Sequence, residues 1–285
     1  MRATILDGLA LGLRFGLLAA GLTLVYGLGG ILNLAYGQMA VISAMVVLFA
    51  LDAGIGVLPA VGLGLVAGAL VGLLFDLTLL RPVYRRKGEA RVLLSLLLTL
   101  GAAFIVDGYL SWRYPFRGLT IQIGGGAMNI LGVPMPRGAM VASAITMVVL
   151  VILFVLFNFT ALGRAIRSVI QDEQGARLVG INPHLMLRFM LILSGVLAAI
   201  VAVTQAMVRP VTVTGGFELT VFALIVTVVG GLGSFTGAFL AGLVLGVIWS
   251  FAASYIGSFL SLVVLLGAAA ITILIRPSGL LGVKE

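Results

Sequence analysis

The sequence predicts an all-α protein, a polytopic transmembrane bundle of about eight to ten helices that forms a single domain over residues 1–285. Of its 285 residues, 62% are hydrophobic and only 9% are charged, whereas soluble domains carry roughly 25% charged residues. Apolar runs of about 20 residues recur along the chain, each long enough to cross a hydrocarbon layer of ~30 Å. The 39 glycines are typical of membrane helices that pack closely.

The apolar runs predict nine spans, and the basic residues between them predict their orientation. The spans lie at 8–27, 35–53, 57–80, 93–110, 138–157, 186–207, 219–234, 236–255 and 258–275. Of the 17 lysines and arginines, 17 − 6 = 11 lie in 81–91, in 159–188 and after residue 275. Because lysine and arginine collect in cytoplasmic loops, the N-terminus is predicted outside and the C-terminus inside. This distribution also accounts for the net charge of +8 without a nucleic-acid partner.

The residue types that enzymes need are almost absent. The chain has no cysteine and one histidine, His184, at a predicted membrane boundary. Of its two lysines, Lys87 and Lys284, neither follows the glycine-rich loop that cradles ATP phosphates. The sequence therefore predicts no catalytic residue, no cofactor and no metal site, and any ATP hydrolysis is expected on a partner chain.

A polar segment at 159–185 interrupts the apolar sequence. Apolar residues recur there at roughly helical spacing between charges, and Gly175 and Gly180 interrupt the pattern before Asn182-Pro183 end it. This pattern predicts one or two short amphipathic helices at the cytoplasmic membrane surface. Such a segment is either an ordinary solvated loop or a docking element for a cytoplasmic partner.

Several stretches of this chain resemble one family of transport proteins. Gln174-Gly175-Ala176 followed by Gly180 has the spacing of the EAAxxxG signature of ABC importer permeases, with Gln in place of Glu and Gly in place of Ala. LGRAIRSVIQDEQGARLVGIN is similar to the cytoplasmic segment of branched-chain amino acid permeases of the LivH type. Three further stretches agree in family order, at Gly21–Ile42, Val228–Gly246 and Ile273–Gly282. Tyr36 departs from the pattern, because many relatives have histidine there.

The resemblance implies a permease subunit of an ABC importer for branched-chain amino acids in the cell inner membrane. Its partners would be a second permease of the LivM type, two cytoplasmic ATP-binding subunits, a periplasmic substrate-binding protein and membrane lipid. The segment at 159–185 would couple to the ATPase through Arg164, Arg167, Asp172, Glu173, Ala176 and Gly180. Relatives of this type also import urea, short amides or aromatic acids, and the competing class is a stand-alone channel or secondary carrier.

Two glycine-rich stretches are candidates for close helix packing, and a few polar residues within the spans are candidates for the translocation pathway. Gly233 and Gly237, like Gly242 and Gly246, have the GxxxG spacing that brings helix backbones together. The stretch near residue 30 has a comparable layout, which predicts either an internal repeat or tight packing alone. Polar residues are costly in spans and suggest function. The candidates for lining the translocation pathway are Tyr26, Asn33, Tyr36 and Gln38.

Charged residues near the ends of spans have simpler interpretations. Arg14 and Asp107 are expected to extend toward the interface or to pair with each other. Asp76 is expected to form a structural ion pair, with Arg81 the nearest basic residue in sequence.

The longest outer loop, at 111–137, is predicted to be periplasmic. LTIQI and MNILGV, separated by Gly124-Gly125-Gly126 and Ala127, predict a small hairpin. The basic residues of this loop could steer an acidic face of a binding protein, or they lie among lipid headgroups; they are Arg113, Arg117 and Arg137.

Overall fold

The computed structural model describes residues 1–124, 126–130, 132–276 and 278–282. Gly125 of the predicted hairpin turn, Leu131, Pro277 and the tail that contains Lys284 lie outside the described residues. Within the described part, the α-helices in chain order are α1 (Arg2–Gly29), α2 (Tyr36–Asp52), α3 (Val57–Leu74), α4 (Glu89–Arg113), α5 (Arg137–Phe159), α6 (Ala161–Gln171), α7 (Glu173–Leu178), α8 (Pro183–Ala206), α9 (Gly216–Gly230), α10 (Phe235–Ile256) and α11 (Ser258–Ile275). A π-helical turn, Phe75–Leu79, extends α3, and 3-10 turns lie at Val83–Arg85 and Val213–Gly215.

The all-helical membrane fold is confirmed. Seven helices in the described ranges are long and apolar enough to cross a membrane, and α2 and the apolar part of α11 are shorter. With the π-helical turn counted as part of α3, these nine apolar helices coincide with the nine predicted spans to within four residues, except that α1 begins six residues earlier than predicted. The two polar helices, α6 and α7, occupy the predicted amphipathic segment.

The two ends of the described chain lie at opposite ends of the bundle. The Ser250 hydroxyl, near the C-terminal end of α10, donates to the carbonyl of Thr4. Leu280 donates from its backbone N–H to the carbonyl of Val229, at the C-terminal end of α9. We call the end that carries Thr4 the hairpin end, and the end that carries α6, α7 and residues 80–91 the basic end.

Helices α1 and α10 pack antiparallel through glycines on both sides. A Cβ atom on Gly12 would lie 2.7 Å from the Cα of Leu243, and one on Gly8 would lie 2.8 Å from the Cα of Val247. A Cβ on Gly246 would overlap the backbone of Gly12, and one on Gly242 would overlap Gly16. The backbones therefore touch, which only small residues permit.

A second stripe of small residues lies on α3. Its buried residues are Ala60, Gly64, Gly68 and Gly72, spaced four apart so that they form one face of the helix. A Cβ on Gly68 would overlap the carbonyl of Gly195 on α8. The opposite face of α3 exposes large apolar side chains, Val66, Leu70 and Leu74 among them, which suits lipid or another membrane subunit.

Between α1 and α2 the chain is not helical, although it lies inside the bundle. The backbone N–H of Leu32 donates to Ser95 Oγ at 3.1 Å, and that of Leu34 donates to Thr99 Oγ1 at 3.0 Å. The N–H of Gly37 donates to Thr220 Oγ1 at 2.9 Å. Non-helical backbone at membrane depth is stable only when protein groups satisfy it, and three hydroxyl groups do so here.

The predicted outer hairpin is wrong in its pairing. The strand β2 (Ala127–Ile130) pairs antiparallel with β3 (Val133–Pro136), and β1 (Gly118–Leu119) pairs with the distant β4 (Val211–Thr212). Gly132, with φ of 82°, lies in the tight turn between β2 and β3, a left-handed conformation that favours glycine. The turn therefore falls after β2, not in the glycine cluster before it.

Candidate functional site

Helix α6 lies against the end of α5 through a stripe of small and apolar residues. The Thr160 side chain caps the helix by accepting from the backbone N–H of Gly163 at 3.2 Å, as N-cap residues do. A Cβ on Gly163 would overlap the carbonyl of Phe157, so glycine lets the two helices meet. Ile166 and Val169 continue the buried stripe at a spacing of three. The opposite face of α6 is left to solvent.

Helix α7 is a short turn with defined caps at both ends. The Asp172 carboxylate accepts from the N–H of Gln174 at 2.9 Å, and Glu173 pairs with Arg177 at 2.7 Å. At the other end, Ile181 N–H donates to the carbonyl of Ala176 and Gly180 N–H donates to that of Arg177. These two bonds form a Schellman motif.

Gly180 holds the position of that motif which requires a left-handed backbone, with φ of 87°. A side chain there would be strained even though no atom stands within 4 Å. The glycine of the signature therefore has a conformational role. The amphipathic segment ends before Asn182-Pro183, as the sequence predicted, and these residues begin α8, because the Asn182 side chain accepts from the N–H of His184.

The predicted coupling residues divide into exposed and internal groups. Arg164, Arg167, Asp172 and Glu173 are exposed, and Ala176 is buried at 3% exposure. Arg167 also donates from Nη1 to the carbonyl of Phe157. Sequence reasoning did not assign a role to the most exposed apolar residues of this segment, Leu178 at 89% and Val179 at 75%. They form an unpartnered apolar tip at the basic end of the molecule, beside the Glu173–Arg177 ion pair.

Three of the four predicted pathway residues lie inside the bundle. Asn33, Tyr36 and Gln38 are at most 2% exposed, and Tyr26 is half-buried near the end of α1. Asn33 Oδ1 accepts from the N–H of Ala35 at 3.0 Å, a local contact that shapes the start of α2. Asn33 lies in the α1–α2 break, and Tyr36 and Gln38 lie in the first turn of α2. None of the three lines the two hollows that lie beside Arg14 of α1.

The polar partners of charged residues within the bundle differ from the expected ones. Gln38 Nε2 donates to Asp107 Oδ1 at 3.2 Å, whereas Arg14 Nη1 donates to Gln205 Oε1 at 3.4 Å. The predicted pairing of Arg14 with Asp107 is therefore wrong. The two residues lie in different helices, and each meets an amide side chain that is remote in sequence.

Asp76 forms an ion pair, but not with Arg81. Its Oδ2 accepts from Arg188 Nε at 2.6 Å, and its Oδ1 accepts from the Tyr84 hydroxyl at 2.5 Å. The π-helical turn at the end of α3 places Asp76 against the start of α8. Burial, together with the hydrogen bond to Asp76, raises the pKa of the Tyr84 hydroxyl. His184 packs edge-on against Tyr84 with 5.7 Å between ring centroids.

Comparison with known proteins places this helical arrangement in a family. Residues 4–275 match the family described as "Branched-chain amino acid transport system / permease component". The chain belongs to this family. It is therefore a permease component of a transport system and a multi-pass protein of the inner membrane.

Individual relatives of this permease cover almost its whole length. It is 28% identical over 293 residues to the high-affinity branched-chain amino acid transport system permease protein BraD of Pseudomonas aeruginosa, covering 99% of this chain and 95% of BraD. It is 25% identical over 294 residues to the LivH permease protein of Escherichia coli, with 98% and 94% covered. The solved structure of PsaBC from Streptococcus pneumoniae in complex with Fab shares the fold, with a TM-score of 0.51, 15% identity, and 96% and 92% covered.

In this permease the glycines singled out from the sequence have different surroundings. Gly242 and Gly246 face α1, whereas a Cβ on Gly237 would overlap the carbonyl of Gly230 on α9. Gly233 is not helical, has φ of 85°, and lies against Gly27, where a Cβ on Gly27 would be 3.0 Å from the Cα of Gly233. The two glycine-rich stretches therefore meet each other at Gly27 and Gly233. The sequence alone did not identify the glycines of α1 as the packing partners of Gly242 and Gly246.

Proposed function

We propose that this permease is one of the two membrane subunits of an ABC importer and forms half of the translocation pathway for branched-chain, hydrophobic amino acids. A second permease of the LivM type would complete the pathway, and a periplasmic binding protein would deliver the substrate. Two cytoplasmic ATP-binding subunits would supply the energy. The near full-length similarity to BraD and LivH supports the substrate class.

The single observation that carries the proposal is the apolar tip of α7. Leu178 and Val179 are largely exposed at the basic end, although the other apolar residues of the α6 and α7 stripe, Ile166, Val169 and Ala176, are buried. Apolar side chains presented by a short, conformationally fixed helix suit a groove on a partner protein. Arg164, Arg167, Asp172 and Glu173 add exposed charge to the same segment, Ala176 is buried behind the tip, and Gly180 ends the helix. Together they would form the coupling surface in the domain segment 159–185.

This assignment fixes the proposed orientation. If α6 and α7 meet an ATP-binding subunit, the basic end is cytoplasmic, the C-terminus is inside and the N-terminus is outside, as the distribution of lysine and arginine also favours. The loop 111–137, with its β2–β3 hairpin, then faces the binding protein.

The break between α1 and α2 is the proposed moving part of the pathway. Tyr36 Oη and Gln38 Oε1 are buried and have no hydrogen-bond partner in the described part of the chain. A buried polar atom without a partner costs about 1–3 kcal/mol, and polar groups inside membrane spans mark transport pathways by default. Tyr36 and Gln38 would gain partners when the subunits rearrange, and Tyr26 and Asn33 would line the same part of the pathway.

The test is purification of the tagged permease from native membranes and measurement of the recovered ATP-binding subunits. Leu178→Glu places a charge on the apolar tip and is expected to abolish their recovery. Leu58→Glu is the matched control, because Leu58 is 85% exposed on α3 at the hairpin end. It should leave recovery unchanged.

Two further variants separate docking from conformation. Gly180→Ala forces a side chain into a left-handed backbone and should reduce the amount of ATP-binding subunit that is recovered. Gly180→Asn should reduce this amount less, since asparagine tolerates the left-handed region. Recovery of ATPase with Leu178→Glu at the wild-type level would refute the docking surface. A wild-type permease that is recovered alone and transports in vesicles without ATP would instead be a channel or a secondary carrier.

A further inference from the structure

Two adjoining hollows open at the hairpin end, between α1, α8, α9 and α10. The wider one has a volume of about 410 Å³, within the range of roughly 300–1,000 Å³ found for small-molecule sites. The narrower one has a volume of about 80 Å³ and continues between α1 and α9. Arg14, Arg209 and Trp249 line both. The hollows therefore form one recess with a shared wall.

The shared wall is cationic. Arg14 lies within the α1 span, and its guanidinium donates to the carbonyl of Ala10 at 3.3 Å and to Gln205 Oε1 at 3.4 Å. No carboxylate lies within 4 Å of Arg14 or Arg209 in the described part of the chain, although Asp7 lines the wider hollow. An intramembrane arginine is costly and normally paired. Asp7 and Glu218 also line the recess, so it offers groups of both charges, as a zwitterion requires.

An aromatic cluster forms the inner wall of the same recess. The rings of Phe15 and Phe222 are stacked with 5.2 Å between centroids, and Trp249 meets Phe222 edge-on at 5.3 Å. All three line the narrower hollow. An apolar side chain that enters beside Arg14 would therefore leave water for an aromatic surface, which favours burial.

We propose that this recess is a binding site for a free amino acid with an apolar side chain, on its way from the outer side into the bundle. Arg14 receives the α-carboxylate in a bidentate hydrogen bond, for which a guanidinium is suited, and Arg209 adds charge at the mouth. The aromatic cluster receives the side chain. Glu218, which lines the narrower hollow, receives the α-ammonium group. The inference rests on the proposed function, because it names where that substrate first meets the permease.

The test measures binding of radiolabelled leucine to the complex of the permease and ATP-binding subunits, prepared without the periplasmic binding protein, in phosphatidylcholine nanodiscs. Zwitterionic lipid removes headgroups with a net negative charge, which would compete most strongly for Arg14, and adding phosphatidylglycerol back shows whether lipid competes. We expect saturable leucine binding that Arg14→Met weakens by about tenfold or more, equivalent to about 1.4 kcal/mol. Arg117→Met, which removes an outer arginine that pairs with Asp52 at 2.6 Å, should bind leucine as wild type does.

Two leucine analogues test the assigned contacts. Leucinamide lacks the carboxylate and should not compete, whereas isocaproate keeps the carboxylate and the side chain and should compete more weakly than leucine. Arg14→Lys keeps the positive charge but loses the two parallel N–H donors of the guanidinium. Its affinity for leucine should lie between that of wild type and that of Arg14→Met. Equal thermal unfolding of the variants would exclude misfolding as the cause of lost binding.

The outcomes separate this site from the proposed function. Four results would overturn the site: wild-type leucine affinity in Arg14→Met, equal competition by leucinamide, no saturable binding, or competition by phosphatidylglycerol alone. None of them would affect the importer assignment, because that assignment depends on the recovery of ATPase subunits. Leucine binding that depends on Arg14 in a permease recovered without ATPase would support the site and refute the importer.

Discussion

Arg188 on α8 lies 2.6 Å from Asp76 at the π-helical end of α3, although 112 residues separate them in the sequence. The Asp76 side chain is 4% exposed and that of Arg188 is 41% exposed. The carboxylate is therefore buried and depends on Arg188 and Tyr84 for its partners. The contact ties α3 to the first turns of α8, immediately after the proposed coupling segment.

Removing Arg188 should cost more stability than neutralising Asp76. Arg188→Met leaves a buried carboxylate without its cation, and we expect a loss of about 1–2 kcal/mol, less than for a fully buried pair because Arg188 is partly solvated. Asp76→Asn keeps a hydrogen-bond acceptor for Tyr84 and should cost less. Unfolding of each variant in detergent micelles measures the difference. A larger loss for Asp76→Asn would contradict this account.

The raised pKa of Tyr84 predicts a stability change in alkaline solution. In the unfolded chain tyrosine ionises near pH 10, whereas in the folded protein the pKa of Tyr84 is higher. The stabilisation from neutral Tyr84 is therefore complete below about pH 10 and is lost as the pH rises toward the folded pKa. The difference in melting temperature between wild type and Tyr84→Phe should shrink from pH 9 to pH 11. A constant difference would show that Tyr84 does not titrate abnormally.

The apolar runs predicted the positions of the nine apolar helices because each run depends only on local composition. The spacing of Ile166 and Val169 likewise predicted an amphipathic helix, and α6 has that buried face. The pairing of Asp76 could not be found in this way. Arg81 is near in sequence, but the turn at the end of α3 directs Asp76 toward α8.

The non-helical backbone between α1 and α2 is a clearer example of contacts that local sequence cannot predict. Glycines at 27, 29 and 30 indicated a break, but the groups that stabilise it, Ser95 and Thr99, lie 63 and 65 residues from their partners. Nothing in the apolar pattern of α4 distinguishes these two hydroxyls. The small residues of α3 recur at a spacing of four, but their partner on α8 depends on how the two helices cross.

Thr99 should stabilise the folded protein through the hydrogen bond that its hydroxyl accepts from the backbone N–H of Leu34. Thr99→Val removes the acceptor for the N–H of Leu34 while keeping the side-chain shape, and an unsatisfied buried donor costs about 1–3 kcal/mol. The matched control is Thr146→Val on α5, because Thr146 is fully buried and its hydroxyl has no partner within the described residues. That variant should be neutral or more stable. Thermal unfolding of both proteins provides the comparison, and equal losses would refute the assigned role of Thr99.

The packing of α1 against α10 predicts opposite effects for the same substitution at two glycines. Gly246→Ala would drive a methyl group into the backbone of Gly12, which cannot move without separating the two helices, so we expect a loss of about 1–3 kcal/mol. Gly267→Ala on α11 meets no atom within 4 Å, and the higher helix propensity of alanine should make it neutral or more stable by up to about 1 kcal/mol. Denaturation of the two variants in the same detergent measures both effects. A tolerated Gly246→Ala would mean that α1 and α10 do not pack as closely as their glycines allow.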